Sequence, residues 1–150
     1  MDKSYPEKVK NYHLALAKQK EEKIKSVKDV AFVQDTLMWQ DNNDTASLKL
    51  NSLELKFYCK KLNLAQRRDW RVPTYEEMIT LIDYNRSDPA SKDIVTNVVA
   101  SKYWTSSVSV FEKDTNWFVD FKYGTSDIDS ELVDHHIRCV RDLSMKEGDY

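Results

Sequence analysis

Four groups of residues carry side chains that could do chemistry. Cys59 and Cys139 are the only thiols. Asp134, His135 and His136 stand together and could move protons. Arg67, Arg68 and Arg71 form a local basic cluster of the kind that meets sulfate, phosphate or carboxylate oxygens through charge-assisted hydrogen bonds. Asp41, Asn42, Asn43 and Asp44 are four consecutive oxygen donors, and Asp127 to Glu131 is a second acidic run. Nucleophilic catalysis requires a nucleophile beside its base, and no Ser or Cys at a recognisable spacing matches Asp134, His135 and His136, so they read as surface residues. A calcium loop of the EF-hand type needs a central Gly and a terminal bidentate Glu, which Asp41 to Asp44 lack, so this run reads as a turn leading into a helix cap. A zinc site needs more ligands than two adjacent histidines supply. No cofactor and no metal are expected. For the cysteines two readings stand: separate buried thiols acting as small hydrophobes, or one disulfide.

The element that positions these groups is the stretch Asp69 to Ile82. Pro73 biases Val72 away from the α region and ends an extended segment. Thr74 then caps a helix, and Glu77 three residues later completes a capping box. Tyr75, Met78, Ile79 and Ile82 fall on one helical face, with Trp70 and Val72 placed to cover it. Before it, Val30 to Val33 and Thr36 to Gln40 read as two short strands joined at Gln34 and Asp35. Ala46 to Leu62 reads as one helix, with Leu48, Leu55, Cys59 and Leu62 on its inner face and Leu50, Leu53 and Phe57 widening it. After it come strands at Tyr103 to Val110 and Asn116 to Phe121, an acidic loop at Asp127 to Glu131, and a last strand at His136 to Arg141. A hairpin, two helices and an antiparallel series of strands make an α+β domain over 31–142.

The chain has 150 residues, a net charge of −2 and 41% apolar residues, which suits one soluble domain with a packed core and does not suggest a nucleic-acid partner. With two Gly and three Pro, the turns must rely on Asn, Asp and Ser. Residues 1–30 hold eight Lys against five acids and read as a Lys-rich helix or linker that could join copies into an oligomer; 143–150 form a charged tail. No apolar run is long enough to cross a membrane, and the N-terminus lacks a signal-peptide core.

Seven blocks in order make the chain familiar: Leu37 to Asp41, including Trp39; Tyr58-Cys59; Asp69 to Met78, including Trp70, Pro73, Thr74 and Glu77; Leu81 to Tyr84; Tyr103 to Ser107, including Trp104; Trp117 to Phe121 with Gly124; and Ile137 to Arg141. This series resembles the Lcl C-terminal domain family of bacteria. The resemblance implies a C-type-lectin-like fold and a disulfide between Cys59 and Cys139. Such a bond points to the periplasm or the exterior. The family includes the terminal domain of adhesins that bind sulfated glycans, which implies a non-catalytic module for a glycan or protein ligand; the alternatives are a structural subunit of an envelope assembly joined through the N-terminal helix, and an enzyme related to the formylglycine-generating fold. For a sulfated ligand, the basic cluster of Arg67, Arg68 and Arg71 and the Lys-rich helix are the expected contacts. Calcium-dependent lectins carry a Trp-Asn-Asp strand and a Glu-Pro-Asn or Gln-Pro-Asp loop; here Phe118 and Val119 follow Trp117 and neither loop tripeptide occurs, so calcium-mediated sugar binding is not expected.

Overall fold

The structure, a computed structural model, describes residues 29–143. The expected Lys-rich helix and the charged tail lie outside these residues apart from their inner ends. Strands β1 (Ala31–Gln34) and β2 (Leu37–Gln40) form a hairpin, and β2 pairs with β8 (Val140–Asp142) in a three-stranded antiparallel sheet. Helix α1 (Asn43–Ser47), strand β3 (Lys49–Leu50) and helix α2 (Ser52–Lys61) follow. Helix α3 (Tyr75–Met78) continues as a 3-10 turn over Ile79–Leu81. A long connection then leads to β4 (Lys102–Val108), β5 (Thr115–Asp120), β6 (Thr125–Ser130) and β7 (His135–His136). The second sheet has the order β3-β7-β4-β5-β6, antiparallel except where β4 meets β7. Mixed helices with two mainly antiparallel sheets make the domain α+β.

The five-stranded sheet is buried on both faces because successive residues of its central strands point to opposite layers. Tyr103 and Val119 are cross-strand partners and face a core of Trp39, Met78, Leu81, Ile82, Phe121 and Val140. Their neighbours Trp104 and Phe118, also partners, face a second core of Leu55, Cys59, Trp70, Ile137 and Cys139. The indole nitrogen of Trp104 donates to the carbonyls of Leu50 and Val133, both at 3.1 Å, so the ring is buried without losing its hydrogen bond. Met78, Ile82 and the partly buried Tyr75 and Ile79 share one layer, as their spacing requires. Trp70 and Val72 do not cover that face as expected. They belong to the other layer, where Trp70 Nε1 donates to the carbonyls of Arg67 at 3.0 Å and Leu64 at 3.3 Å.

Three further expectations are corrected. The single helix over Ala46 to Leu62 is two helices with a short strand between them. Leu48 takes an extended conformation, Lys49 and Leu50 pair with β7, and Asn51 starts a new helix through a capping box with Glu54. The rotation this introduces leaves Leu53 and Phe57 outside the core, Phe57 at 65% exposure. The acidic run from Asp127 is mostly strand β6, whose acids alternate along an edge that no other strand among the described residues covers, a placement that discourages edge-to-edge pairing. The last strand is split: His135 and His136 belong to one sheet and Val140 to Asp142 to the other, with buried Ile137, Arg138 and Cys139 crossing between them. Scarcity of glycine is met as expected, with Asp35, Asp88 and Asp114 taking left-handed turn conformations alongside Ala65 and Gln66.

Cys59 and Cys139 form a disulfide, with Cα atoms 5.7 Å apart, that ties α2 to the crossing segment. It closes a loop of 80 residues, which in the chain-entropy account stabilises the fold by about 4 kcal/mol. Trp70 is buried in the same core cluster as both cysteines, so Trp70→Ala should lower the unfolding free energy by about 3–5 kcal/mol in urea titration under non-reducing conditions. A melt like wild type would show that the ring is not part of the core.

Candidate functional site

The crossing segment carries the most demanding side chain of the molecule. Arg138 is fully buried. Its Nη1 donates to the Gln40 carbonyl at 2.6 Å and to Asp41 Oδ1 at 3.1 Å, its Nη2 donates to the Asn97 carbonyl at 2.8 Å, and the guanidinium lies over the Tyr103 ring. Asp41 in turn accepts from the Thr96 amide and hydroxyl and from the Asn97 amide. Burial pushes the Asp41 carboxyl upward, but Arg138 and the Thr96 and Asn97 donors outweigh it, and the group sits below its ordinary range. Next to it, Gln40 accepts the Cys139 amide and donates to Tyr58, whose hydroxyl donates to Asp44 at 2.7 Å. Burial and the Asp44 carboxylate push the Tyr58 phenol far up, so it stays a donor. The Asp41 to Asp44 run is thus used inside the protein: Asp41 holds Arg138, Asn42 caps α1, and Asp44 accepts Tyr58.

The three arginines singled out by sequence do not act as one group. Arg67 and Arg68 are exposed on the turn before Trp70. Arg71 is half-buried and clamped: its Nη1 and Nη2 donate to Glu77 at 2.8 and 2.7 Å, and its Nε and Nη2 donate to Asp142 at 3.0 and 2.9 Å. Glu77 therefore serves two purposes, closing the capping box on the Thr74 amide at 2.9 Å and fixing Arg71. Its carboxyl is held low, first by Arg71. Arg141 similarly holds Asp69.

The histidines are inward-facing, contrary to a surface reading. His135 meets Asp129 at 2.9 Å and packs on Trp104 and Phe118; His136 is buried against the Tyr103 ring. Burial holds both below their ordinary value. Neither ring faces a thiol, and both cysteines are bonded to each other. Among the described residues, no group of three or more His, Cys, Asp or Glu is arranged to hold a metal ion.

An open groove of about 470 Å³ runs between α2 and the β4–β5 hairpin. Lys56, Lys60 and Leu53 line its helical wall, Ser106 and Val108 its strand wall, and Val72 and the buried Trp70 also contribute to its lining. Neither lysine makes an ion pair within the described residues. They stand one helical turn apart, so both ammonium groups can reach one ligand. Sequence reading missed them because surface lysines on a helix look alike whether or not a cleft lies beside them. The spacing of four residues was the available signal. Trp117 stands apart from this groove, half-buried beside Tyr75 and Phe111.

The family model of the Lcl C-terminal domain matches residues 28–141, and the chain belongs to that family. No curated protein matches it.

The pKa shifts set an acid limit on the fold. His135 and His136 titrate lower in the folded chain than the unfolded 6.5, so the unfolded state gains protons first as pH falls below that value. Asp41, Asp69, Glu77 and Asp142 are also lowered, so their contribution is complete above the unfolded values of 3.8 to 4.5 and is lost as pH falls through the folded ones. Urea midpoints should therefore be flat from neutral pH to the upper sixes, decline gently toward pH 5 and fall steeply below about 4.5. A stability maximum near pH 4 would contradict these assignments.

Proposed function

We propose that this Lcl C-terminal domain is a non-catalytic binding module with a C-type-lectin-like fold, working at the bacterial envelope or outside the cell and recognising a glycan or protein ligand through negative charge. The observation that carries the reading is the groove beside α2, in which two ammonium groups with no ion-pair partner among the described residues stand beside apolar and hydroxyl-bearing walls. Exposed Arg67 and Arg68 on the neighbouring loop extend the cationic surface; Arg71, already held by Glu77 and Asp142, supports the loop more than it meets a ligand. The cystine favours an oxidising compartment. Among the described residues no helix is long and apolar enough to cross a membrane. A binding role is favoured over an enzymatic one because the thiols are bonded and the half-buried His135 is held by Asp129 and packed on two aromatic rings.

Calcium has no part in this recognition. The carboxylates nearest to a calcium-like run are engaged by Arg138 and Tyr58, while the ion requires six to eight oxygens at about 2.3–2.6 Å. Calorimetry against sulfated oligosaccharides should give the same isotherm with calcium or with EDTA. Raising salt should weaken binding, because screening shortens to about 8 Å at physiological ionic strength. A stoichiometric calcium isotherm accompanied by a rise in Tm would overturn the reading.

A further inference from the structure

We propose that the groove between α2 and the β4–β5 hairpin binds an acidic, aliphatic peptide segment of a partner protein. The inference rests on the reading of this groove as the binding site and names its ligand.

Charge selects the sign of the ligand. Lys56 and Lys60 are exposed, lie one turn apart on the same helical wall, and have no carboxylate partner among the described residues. Two ligand carboxylates on alternate residues of an extended peptide lie about 6–7 Å apart. Lysines at i and i+4 are about 5–6 Å apart at Cβ, so the two spacings match.

The apolar lining selects the body of the ligand. A saccharide ring is held against an open aromatic face, and this groove offers none: Trp70, the ring in its lining, is only 3% exposed. The accessible apolar groups are instead aliphatic, Leu53 at 47% and Val108 at 67% exposure, one on each wall. Between them an aliphatic side chain of the ligand loses water on both sides, while its carboxylate neighbours reach Lys56 and Lys60. The Ser106 hydroxyl, exposed on the strand wall, is available to the ligand backbone. At the other end of the groove stands Glu131, which repels a further carboxylate and so sets the direction in which an acidic segment lies. The walls are held by the cystine on α2 and by the amide of Ser106, which donates to the Pro73 carbonyl at 2.8 Å. A groove that is already formed asks little ordering of the protein when it binds.

The test is fluorescence anisotropy with a labelled peptide of alternating Glu and Leu, beside a peptide of alternating Gln and Leu and a sulfated oligosaccharide, using the full oxidised chain. The Glu-Leu peptide should bind, and the Gln-Leu peptide should bind at least about tenfold more weakly. Lys56→Gln with Lys60→Gln should reduce Glu-Leu binding by at least about tenfold, and Leu53→Ser by about three- to tenfold, with the Tm of each variant unchanged. Lys92→Gln, exposed and outside the groove, should leave peptide binding intact. Equal binding of the two peptides, or Glu-Leu binding that survives loss of both lysines, overturns the proposal. If only the sulfated oligosaccharide binds, the peptide is the wrong ligand while the binding-module reading stands. If neither binds, both fail.

Discussion

Burying Arg138 is the constraint on which the rest of the structure depends. A guanidinium taken out of water is costly unless its donors and its charge are answered at close range. Asp41 answers the charge, the carbonyls of Gln40 and Asn97 answer Nη1 and Nη2 while Nε finds no partner among the described residues, and the Tyr103 ring covers one face. Each partner comes from a different part of the chain. Asp41 follows β2, Asn97 lies in the long connection before β4, and Arg138 lies between the two sheets. Satisfying one side chain therefore fixes the relative position of both sheets and of a connection with little regular structure of its own. The same segment places Cys139 against α2 and Val140 between Trp39 and the backbone of Arg71.

That constraint reaches the proposed binding surface through covalent and packed contacts. The cystine draws α2 toward the sheet, and Leu55 and Cys59 turn inward. Lys56 and Lys60, on another face of the same helix, are thereby presented beside the β4–β5 hairpin. The carboxylates that neutralise the arginines of the core and of the Arg71 clamp are committed there, and neither lysine makes an ion pair within the described residues, although Glu131 lines the same groove. The contrast between matched charge within the fold and unmatched charge at the groove is the physical basis for assigning recognition there.

Much of the architecture was legible in the residue order. Thr74 and Glu77 announce a helix start through their spacing, and the structure has that capping box. Asn51 and Glu54 have the same spacing and mark the second start that a long apolar periodicity concealed. The split between β7 and β8 was hidden for a different reason: Ile137 to Val140 alternates as a strand does, and only the distant partners Asp41 and Asn97 explain why Arg138 leaves the sheet. The β6 edge was obscured by its acids, whose solubility value on an uncovered strand looks like loop composition. Arg71 resembled an anion contact because its carboxylate partners are 6 and 71 positions away and cannot be seen locally.

A double-mutant cycle at Asp41 and Arg138 tests the central claim most directly. Asp41→Asn, Arg138→Met and the combined variant would be unfolded in urea at neutral pH with the cystine intact. Removing either partner alone should destabilise the chain by about 3–5 kcal/mol, because the other charge is left buried. The double variant should cost less than the sum, with a coupling of about 1–3 kcal/mol. Strict additivity, or single variants that melt like wild type, would show that the buried pair does not organise the fold.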